Sequence, residues 1–345
     1  MGIGKMVVMD VGAANAVVGV SGRGVVLREP SAIMLQAQTM RILAVGGEAW
    51  KALERVPDNI VAVRPLAQGF GGCDPNVLEA VLGFLLKKAC AGGKFVRPRA
   101  VLSVPSCATT YSRRVLADAA VQCGCSLAAN GVVLVDETLA HAVGIGLWRR
   151  SGYSAALVVG ARCCQAAVFS DGELALSRCV HSQTPVLGAG GDALDAAVAG
   201  FFEREGGLVV GTEYAERIKR AVGVSGATAG DVVPPPGCKL SATQVAEGAR
   251  AAMSAPIERL AAMFGELLED ASREFGEAAL SEIASGGVML SGGGAQLKGL
   301  DAVLGEKFKM QFALAERPVD GAADGMLEMV QAGRIPALSM EEGLK

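Results

Sequence analysis

The residues of this chain best suited to chemistry sit in glycine turns that follow apolar strands. Asp10-Val11-Gly12-Ala13-Ala14-Asn15 is one such turn, and Ser291-Gly292-Gly293-Gly294-Ala295 is another. Glycine carries no Cβ, so the backbone N–H groups of such a turn can come close to phosphate oxygens. Each turn taken singly is satisfied equally well by ordinary turn geometry, and their order and spacing carry more weight. An acidic pair, Asp136-Glu137, opens an expected helix, where carboxylates complement the positive end. The nine cysteines include an adjacent pair, Cys163-Cys164, and a Cys123-x-Cys125, with no C-x-x-C and no histidine at zinc-finger spacing. That usage predicts reduced, mostly buried thiols, with a metal or redox site as the lesser reading. His141 and His181 stand alone in the sequence and read as packing or surface residues.

The elements that must position these residues follow an order that repeats. Lys5–Val20 reads as an apolar hairpin with Asp10 at its turn, and Gly24–Leu27 as a third strand. Helices are expected near Glu48–Arg55, over Asn76–Cys90, over Thr109–Gln122 with Arg113, Arg114 and Asp118 outward, and over Glu137–Leu147. Ala100–Val104 and Gly131–Val135 read as short buried strands. After Gly152 the plan starts again, with strands at Ala155–Val159, Gln165–Phe169 and Leu174–Cys179. Helices follow from Gly190-Gly191-Asp192 to Phe202 and over Glu213–Val222. Gly223–Lys239, with Pro234-Pro235-Pro236, is the most loop-like stretch. Ser241–Phe275 is expected to hold one or two helices broken near Pro256, and Gly287–Leu290 to be a strand. The succession predicts an α/β protein of two lobes, each entered by a hairpin.

Length and composition agree with two lobes and exclude several function classes. The chain has 345 residues, 51% of them hydrophobic, with 19% charged, which supplies a large core and argues against disorder. Its formal net charge of -3 does not suit a protein that coats nucleic acid, so no nucleic-acid partner is expected. Mean hydropathy is +0.38, yet charges or amides interrupt every apolar stretch before the ~18 residues that a membrane helix needs. The opening residues do not read as a secretory signal, and a cytoplasmic location is expected. The 46 glycines, against 13 prolines and without a Gly-X-Y period, point to many close backbone approaches.

In this order the motifs resemble those of the actin-like ATPase superfamily and, within it, the MreB family. The resemblance rests on Asp10–Asn15, Gly24–Ser31, Asn59–Leu66, Arg97–Ser106, Asp136-Glu137 with Ala140–Leu147, Gly190–Asp195, Ala215–Lys219 and Ser291–Asp301, which run in family order to about residue 325. It implies duplicated RNase H-like lobes, each a mixed five-stranded sheet with flanking helices, plus two smaller subdomains. The implied divisions are 1–28 with 68–150, 29–67, 151–181 with 250–345, and 182–249. It also implies ATP and Mg²⁺ as cofactors. Asp10, Gly12, Ala13, Ala14 and Asn15 match the first phosphate loop, with Asp10 near the metal through water and no direct metal ligand. Glu137 matches the carboxylate that orients the attacking water. Gly160, Gly190, Gly191 and Asp192 match further nucleotide contacts, Glu216 and Lys219 those to ribose and adenine, and Gly292, Gly293, Gly294 and Ala295 the adenosine motif. Read from the residues alone, Asp10 could be a turn acid, Glu137 a helix-start acid, and Glu216 with Lys219 an i,i+3 surface pair.

The departures from the family pattern concentrate in the second phosphate loop. Here the chain reads Val158-Val159-Gly160-Ala161-Arg162-Cys163-Cys164-Gln165. Val158 stands where the family has the acid of the metal–water shell, Ala161 and Arg162 stand for glycines, and Cys163 and Cys164 for hydroxyl residues. Ala13 and Ala16 replace two threonines of the first loop. Phosphoryl transfer depends on placing Mg²⁺ and an in-line water, so hydrolysis is expected to be slow or lost. The resemblance implies a self-assembling filament of paired protofilaments, or co-assembly with an intact MreB-family protein, at the inner membrane surface beside the cell-wall elongation machinery. Phe95 and Val96, flanked by Lys94 and Arg97, match a membrane-inserting loop. The alternatives are a non-filamentous ATPase of the same fold, sugar-kinase or Hsp70-like, and a nucleotide-free scaffold paralogue.

Overall fold

The computed structural model describes residues 6–53, 57–91, 97–126, 131–181, 187–225 and 232–338. The expected membrane loop, Phe95 and Val96, lies outside the described residues. The chain divides into two compact units, 1–146 with 319–345, and 147–318.

The first unit is built on a five-stranded sheet of β1 (Met6–Val11), β2 (Asn15–Val20), β3 (Gly24–Pro30), β7 (Arg99–Val104) and β8 (Val132–Asp136), in the order β3-β2-β1-β7-β8. β1, β2 and β3 form antiparallel pairs, while β1, β7 and β8 run parallel. Strands buried on both faces need continuous apolar runs, which Met6–Met9 and Ala100–Leu102 supply. A smaller antiparallel sheet, order β5-β4-β6, joins β4 (Ile33–Gln36), β5 (Ile42–Val45) and β6 (Ile60–Val63) beside the short helix α1 (Gly47–Ala52). Periodicity did not resolve these strands, because each is only four residues long. Helices α2 (Pro75–Ala89), α3 (Thr110–Gln122) and α4 (Glu137–Gly144) are opened by the side chains of Asp74, Thr109 and Asp136, which accept from first-turn N–H groups. On α3, Arg114 and Asp118 are exposed as expected, and Arg113 is half-buried.

The second unit repeats the plan. β9 (Tyr153–Val159), β10 (Cys163–Ser170), β11 (Glu173–His181), β12 (Val288–Ser291) and β13 (Phe312–Leu314) form a sheet in the order β11-β10-β9-β12-β13. Around it lie α5 (Gly191–Phe201), α6 (Thr212–Val222), α7 (Ala242–Phe275), α8 (Glu277–Gly286) and α9 (Leu300–Phe308). The expected break near Pro256 does not occur: α7 is one helix of 34 residues with Pro256 buried inside it. Proline forfeits one backbone hydrogen bond, and burial of Met253, Ile257, Leu260 and Phe264 on either side holds the helix together across it.

The last helix, α10 (Gly321–Ala332), falls in the first compact unit. It packs on α4 of the first unit, where a Cβ on Gly325 would strike the Ala140 carbonyl and one on Gly144 the Gly321 carbonyl. Only glycine lets the two helices approach so closely. Leu338 N–H then donates to Leu134 O on β8 at 2.8 Å. Among the described residues, no helix is long and apolar enough to cross a membrane.

Candidate functional site

In the first unit the candidate residues gather along the carboxyl ends of the parallel strands, where open α/β sheets place their ligands. Asp10 is the penultimate residue of β1, Ser103 lies beside it on β7, and Asp136 ends β8 opposite Val104. Ser103 Oγ donates to Asp10 Oδ1 at 2.6 Å. Burial pushes the Asp10 carboxyl up to about 6, and the Ser103 bond works against that shift. Asp136 is buried and caps α4 by accepting from Leu139 N–H at 3.0 Å. Burial raises its pKa, while bonds from Leu139, Ser106 and Thr138 oppose the rise. Glu137 follows as the first residue of α4 and is partly exposed. Its carboxylate therefore stands at the positive end of a helix.

The turn between β1 and β2 is held by its own backbone. Gly12 N–H donates to Asn15 O at 2.9 Å, and Ala14 O accepts from Ser31 N–H at 2.8 Å. Arg64 reaches over this turn, with Nε and Nη2 donating to Ala13 O at 3.0 and 2.9 Å. Neither Arg64 nor Ser103 stood out as a site residue in the sequence. Ser103 was legible as the one polar residue in the apolar run Ala100–Val104, whereas nothing local marks Arg64 as a partner of a turn 51 residues earlier.

The duplicated plan provides an internal reference for the second unit. Gly160 N–H donates to Cys163 O at 3.0 Å, as Gly12 does to Asn15 O. A Cβ on Gly160 would lie 2.5 Å from Cys163 O, and one on Gly12 3.0 Å from Asn15 O. The two turns are thus the same construction, and Val158 holds in β9 the place that Asp10 holds in β1. Val158 is 1% exposed and lies in register with Ser291 of β12 and Gln165 of β10. Ser291 is the counterpart of Ser103, and with no carboxylate beside it its hydroxyl bonds Pro318 O at 3.3 Å. Arg162, two residues past Gly160, is buried.

Two segments of the second unit converge on this turn. The N–H groups of Gly191 and Asp192 at the start of α5 donate to Gly160 O at 3.0 Å and Ala161 O at 2.9 Å. A Cβ on Gly190 would meet those two carbonyls at 2.6 and 2.5 Å. Gly292, at φ +85°, and Gly294 lie against the Val159 carbonyl, where a Cβ would stand 2.6 and 3.0 Å away. Glycine at 190, 292 and 294 is therefore demanded by backbone packing. Gly293 differs, since a Cβ there would meet nothing within 4 Å. Ala295 is buried.

Lys219 and Glu216 do not pair with each other. Lys219 Nζ lies 2.8 Å from Asp195 Oδ1 and donates to Gly191 O at 3.2 Å, both side chains being about nine-tenths buried. Burial pushes Asp195 up to about 6, and the Lys219 charge pulls it back. Glu216 instead accepts from Arg220 at 2.6 Å, an i,i+4 pair on the surface.

These arrangements fit the family's cofactors unequally. The strand ends of the first unit present a carboxylate and hydroxyl set suited to polar contact with a phosphate's metal and water shell. The Gly293 turn leaves open space for a ligand. The β9–β10 turn does not fit, because Val158 offers no oxygen and the first N–H groups of α5 are already taken by Gly160 and Ala161 carbonyls.

Comparison with known proteins bears on the whole chain. The sequence profile of the MreB/Mbl protein family matches residues 4–335. The cell shape-determining protein Mbl of Bacillus subtilis is 30% identical over 330 residues, covering 92% of this chain and 93% of its own. The cell shape-determining protein MreB of Escherichia coli K12 is 31% identical over 344 residues, covering 93% of each. Among solved structures, MreB5 of Spiroplasma citri bound to AMPPNP superposes with a TM-score of 0.78 at 21% identity, over 95% of this chain and 96% of that one. A non-polymerising A278D mutant of MamK bound to AMPPNP gives a TM-score of 0.64 at 17% identity, over 95% and 98%. With duplicated sheets, turns of matching construction and a profile that spans nearly every residue, this chain has the actin-like fold and belongs to the MreB/Mbl family.

Proposed function

We propose that this chain is a cell-shape filament subunit that holds adenine nucleotide weakly and hydrolyses it slowly or not at all. The β9–β10 turn carries the reading: within a family match that spans the chain, Val158 replaces an acid, and Ala161 and Arg162 fill space that glycines leave open. Asp10 and Glu137 support retained binding on the first unit, where the loss is limited to the two hydroxyls replaced by Ala13 and Ala16, and the heavier loss falls on the second loop. The subunit would polymerise alone or with an intact relative, on the inner face of the membrane and beside the machinery of cell-wall synthesis. Phe95 and Val96 are the residues proposed to touch lipid.

A second reading is a nucleotide-free scaffold that co-assembles with an intact relative. The buried Lys219–Asp195 pair favours it, because a lysine already neutralised by a carboxylate has less charge to offer a ligand. One set of assays on the purified full chain separates the two. Equilibrium ATP binding, phosphate release and high-speed pelleting are measured together, with and without anionic vesicles. The first reading expects weak binding, pelleting without phosphate release, and higher turnover in Val158→Asp/Ala161→Gly/Arg162→Gly that Glu137→Ala abolishes. It also expects Phe95→Ser to lower vesicle binding. Turnover by the wild type at the rate of the E. coli relative sinks the slow-hydrolysis proposal, and equal vesicle binding sinks the lipid contact. No nucleotide binding, with pelleting only beside the relative, selects the scaffold.

A further inference from the structure

The β9–β10 turn carries one change that the nucleotide reading leaves unused. Cys163 stands where the family pattern has a hydroxyl residue, and Gly160 N–H fixes its place by donating to Cys163 O at 3.0 Å. β10 begins at Cys163 and pairs with β11, so that Cys163 lies across from His181 and Gln165 across from Cys179. Alternate residues of a strand face opposite sides of the sheet. Cys164, Leu176 and Val180 belong to the core of the unit, and Cys163, Cys179 and His181 therefore share the other face. The zinc-finger spacing that the sequence lacks is replaced by strand register, which brings two thiols and an imidazole to one patch.

The spacing of the thiols suits a bridging ion better than a bond between them. Cys163 and Cys179 are diagonal neighbours, and such pairs stand about 7–8 Å apart across an antiparallel ladder, beyond the usual Cα separation of a disulfide, about 4.4–6.8 Å. Their Sγ atoms nevertheless lie within 4.8 Å of each other. A tetrahedral zinc ion bonded to two sulfurs at about 2.3 Å holds them about 3.8 Å apart, so small side-chain adjustments suffice. His181 is exposed, and residues directly opposite have Cβ atoms about 4.5–5.5 Å apart, which lets its ring swing to an ion held by Cys163. Cys179 also ends the cross-sheet row Ser291, Val158, Gln165, Cys179. The face that lost a carboxylate suited to a hard cation has thus gained ligands suited to a soft one.

We propose that Cys163, Cys179 and His181 form a zinc site where β10 begins beside β11. Zn²⁺ takes the place of the two thiol protons, which pass to solvent, and the neutral imidazole adds a lone pair. Water completes the tetrahedron on the exposed side. The sum is Zn²⁺ and two RSH giving Zn(SR)₂ and two H⁺, so affinity falls as pH is lowered. The ion ties the first residue of β10 to β11 and thereby fastens the β9–β10 turn. The site uses no nucleotide and stands or falls apart from the nucleotide reading.

The test takes reduced, chelator-washed full-length protein without nucleotide, titrates it with Zn²⁺ against a chromophoric chelator, and uses Co²⁺ as an optical probe. Expected are one zinc ion per chain, a thiolate-to-cobalt charge-transfer band that Zn²⁺ removes, and a higher thermal midpoint with zinc. Losing an outer-shell partner costs about 10–100-fold in metal affinity. Cys163→Ser and Cys179→Ser remove ligands themselves, and each should weaken binding more than about a hundredfold and abolish the rise in midpoint. His181→Ala should weaken binding and keep the band, and the control Cys238→Ser should bind as the wild type does. A second measurement needs no variant: zinc should protect Cys163 and Cys179 of the wild type from iodoacetamide, mapped by mass spectrometry. The proposal is overturned if zinc leaves their alkylation unchanged or if the two Ser variants bind zinc like the wild type. Binding of Cu⁺ without binding of Zn²⁺ overturns it as well.

Discussion

Asp10 is a buried carboxyl whose charged form costs the fold stability. Its folded pKa is about 6 against a reference of 3.8, so protonation favours the folded state. The stability it contributes is complete below 3.8 and is lost as pH rises through 6. Asp10→Asn mimics the neutral acid and keeps an acceptor for Ser103. The variant should therefore gain about 1–3 kcal/mol at about pH 8 and nothing near pH 4, read as the difference in urea midpoint from wild type. That difference matters because His141, buried and pushed down to about 4, acts in the opposite sense, with stability lost as pH falls from 6.5 to 4. A gain that persists at low pH would show that Asp10 is not the titrating group. The hairpin pattern put Asp10 at the turn, whereas it lies within β1, one residue before the strand ends, and the sequence held its partner Ser103 in plain view. The Lys219–Asp195 pair was not legible, because the two residues lie on different helices and meet only where α5 and α6 pack.

Between elements, the contact of α4 with α10 is the one on which the candidate site leans most. α4 carries Asp136 at its cap and Glu137 in its first turn, and its far end rests on α10 through Gly144, Gly321 and Gly325. Gly325→Val forces a side chain against the Ala140 carbonyl and the Gly144 nitrogen, backbone atoms that cannot swing aside. Overpacking of this kind costs about 1–3 kcal/mol or more, and the loss should appear as a lower urea midpoint. Gly265→Ala on α7 is the control, since its Cβ would meet Phe308 at an ordinary 3.7 Å. It should stabilise by about 0.5–1 kcal/mol through helix entropy. Equal effects at the two positions would mean that the α4–α10 contact is looser than drawn. The same elements show where local reading fails. Proline predicts a break at 256 from its missing N–H, but the apolar surface buried along α7 outweighs one hydrogen bond.

At the scale of the molecule, the two units are alike in plan and unlike in chain continuity. The second unit is a single stretch, 147–318, around its own core of Leu157, Val168, Phe201, Phe264 and Ile283. The first needs both ends of the chain, since α10 closes it from residues 319–345. A fragment spanning 147–318 should fold alone, with a cooperative thermal transition followed by circular dichroism. A 1–146 fragment should remain protease-sensitive until a peptide or fusion carrying 319–338 is supplied. Protection of 1–146 without that segment would contradict the part given to α10.

The sequence by itself determined the strands of the two large sheets except the three-residue β13, the paired hairpins, the glycine turns and the family, because each is written in neighbouring residues or in their order. It also showed that Val158, Ala161 and Arg162 break the phosphate pattern. Only the tertiary structure decided what several of the glycines are for. Gly190, Gly292 and Gly294 are required by carbonyls that reach them from β9 and its turn, and Gly325 by a carbonyl of α4. It alone equated Val158 with Asp10, through two turns of the same construction. It alone carried the last helix back to the first unit. The reason is common to all of these: a local pattern fixes which way a side chain faces along its own element, while close approach between distant backbones depends on packing that no local pattern records.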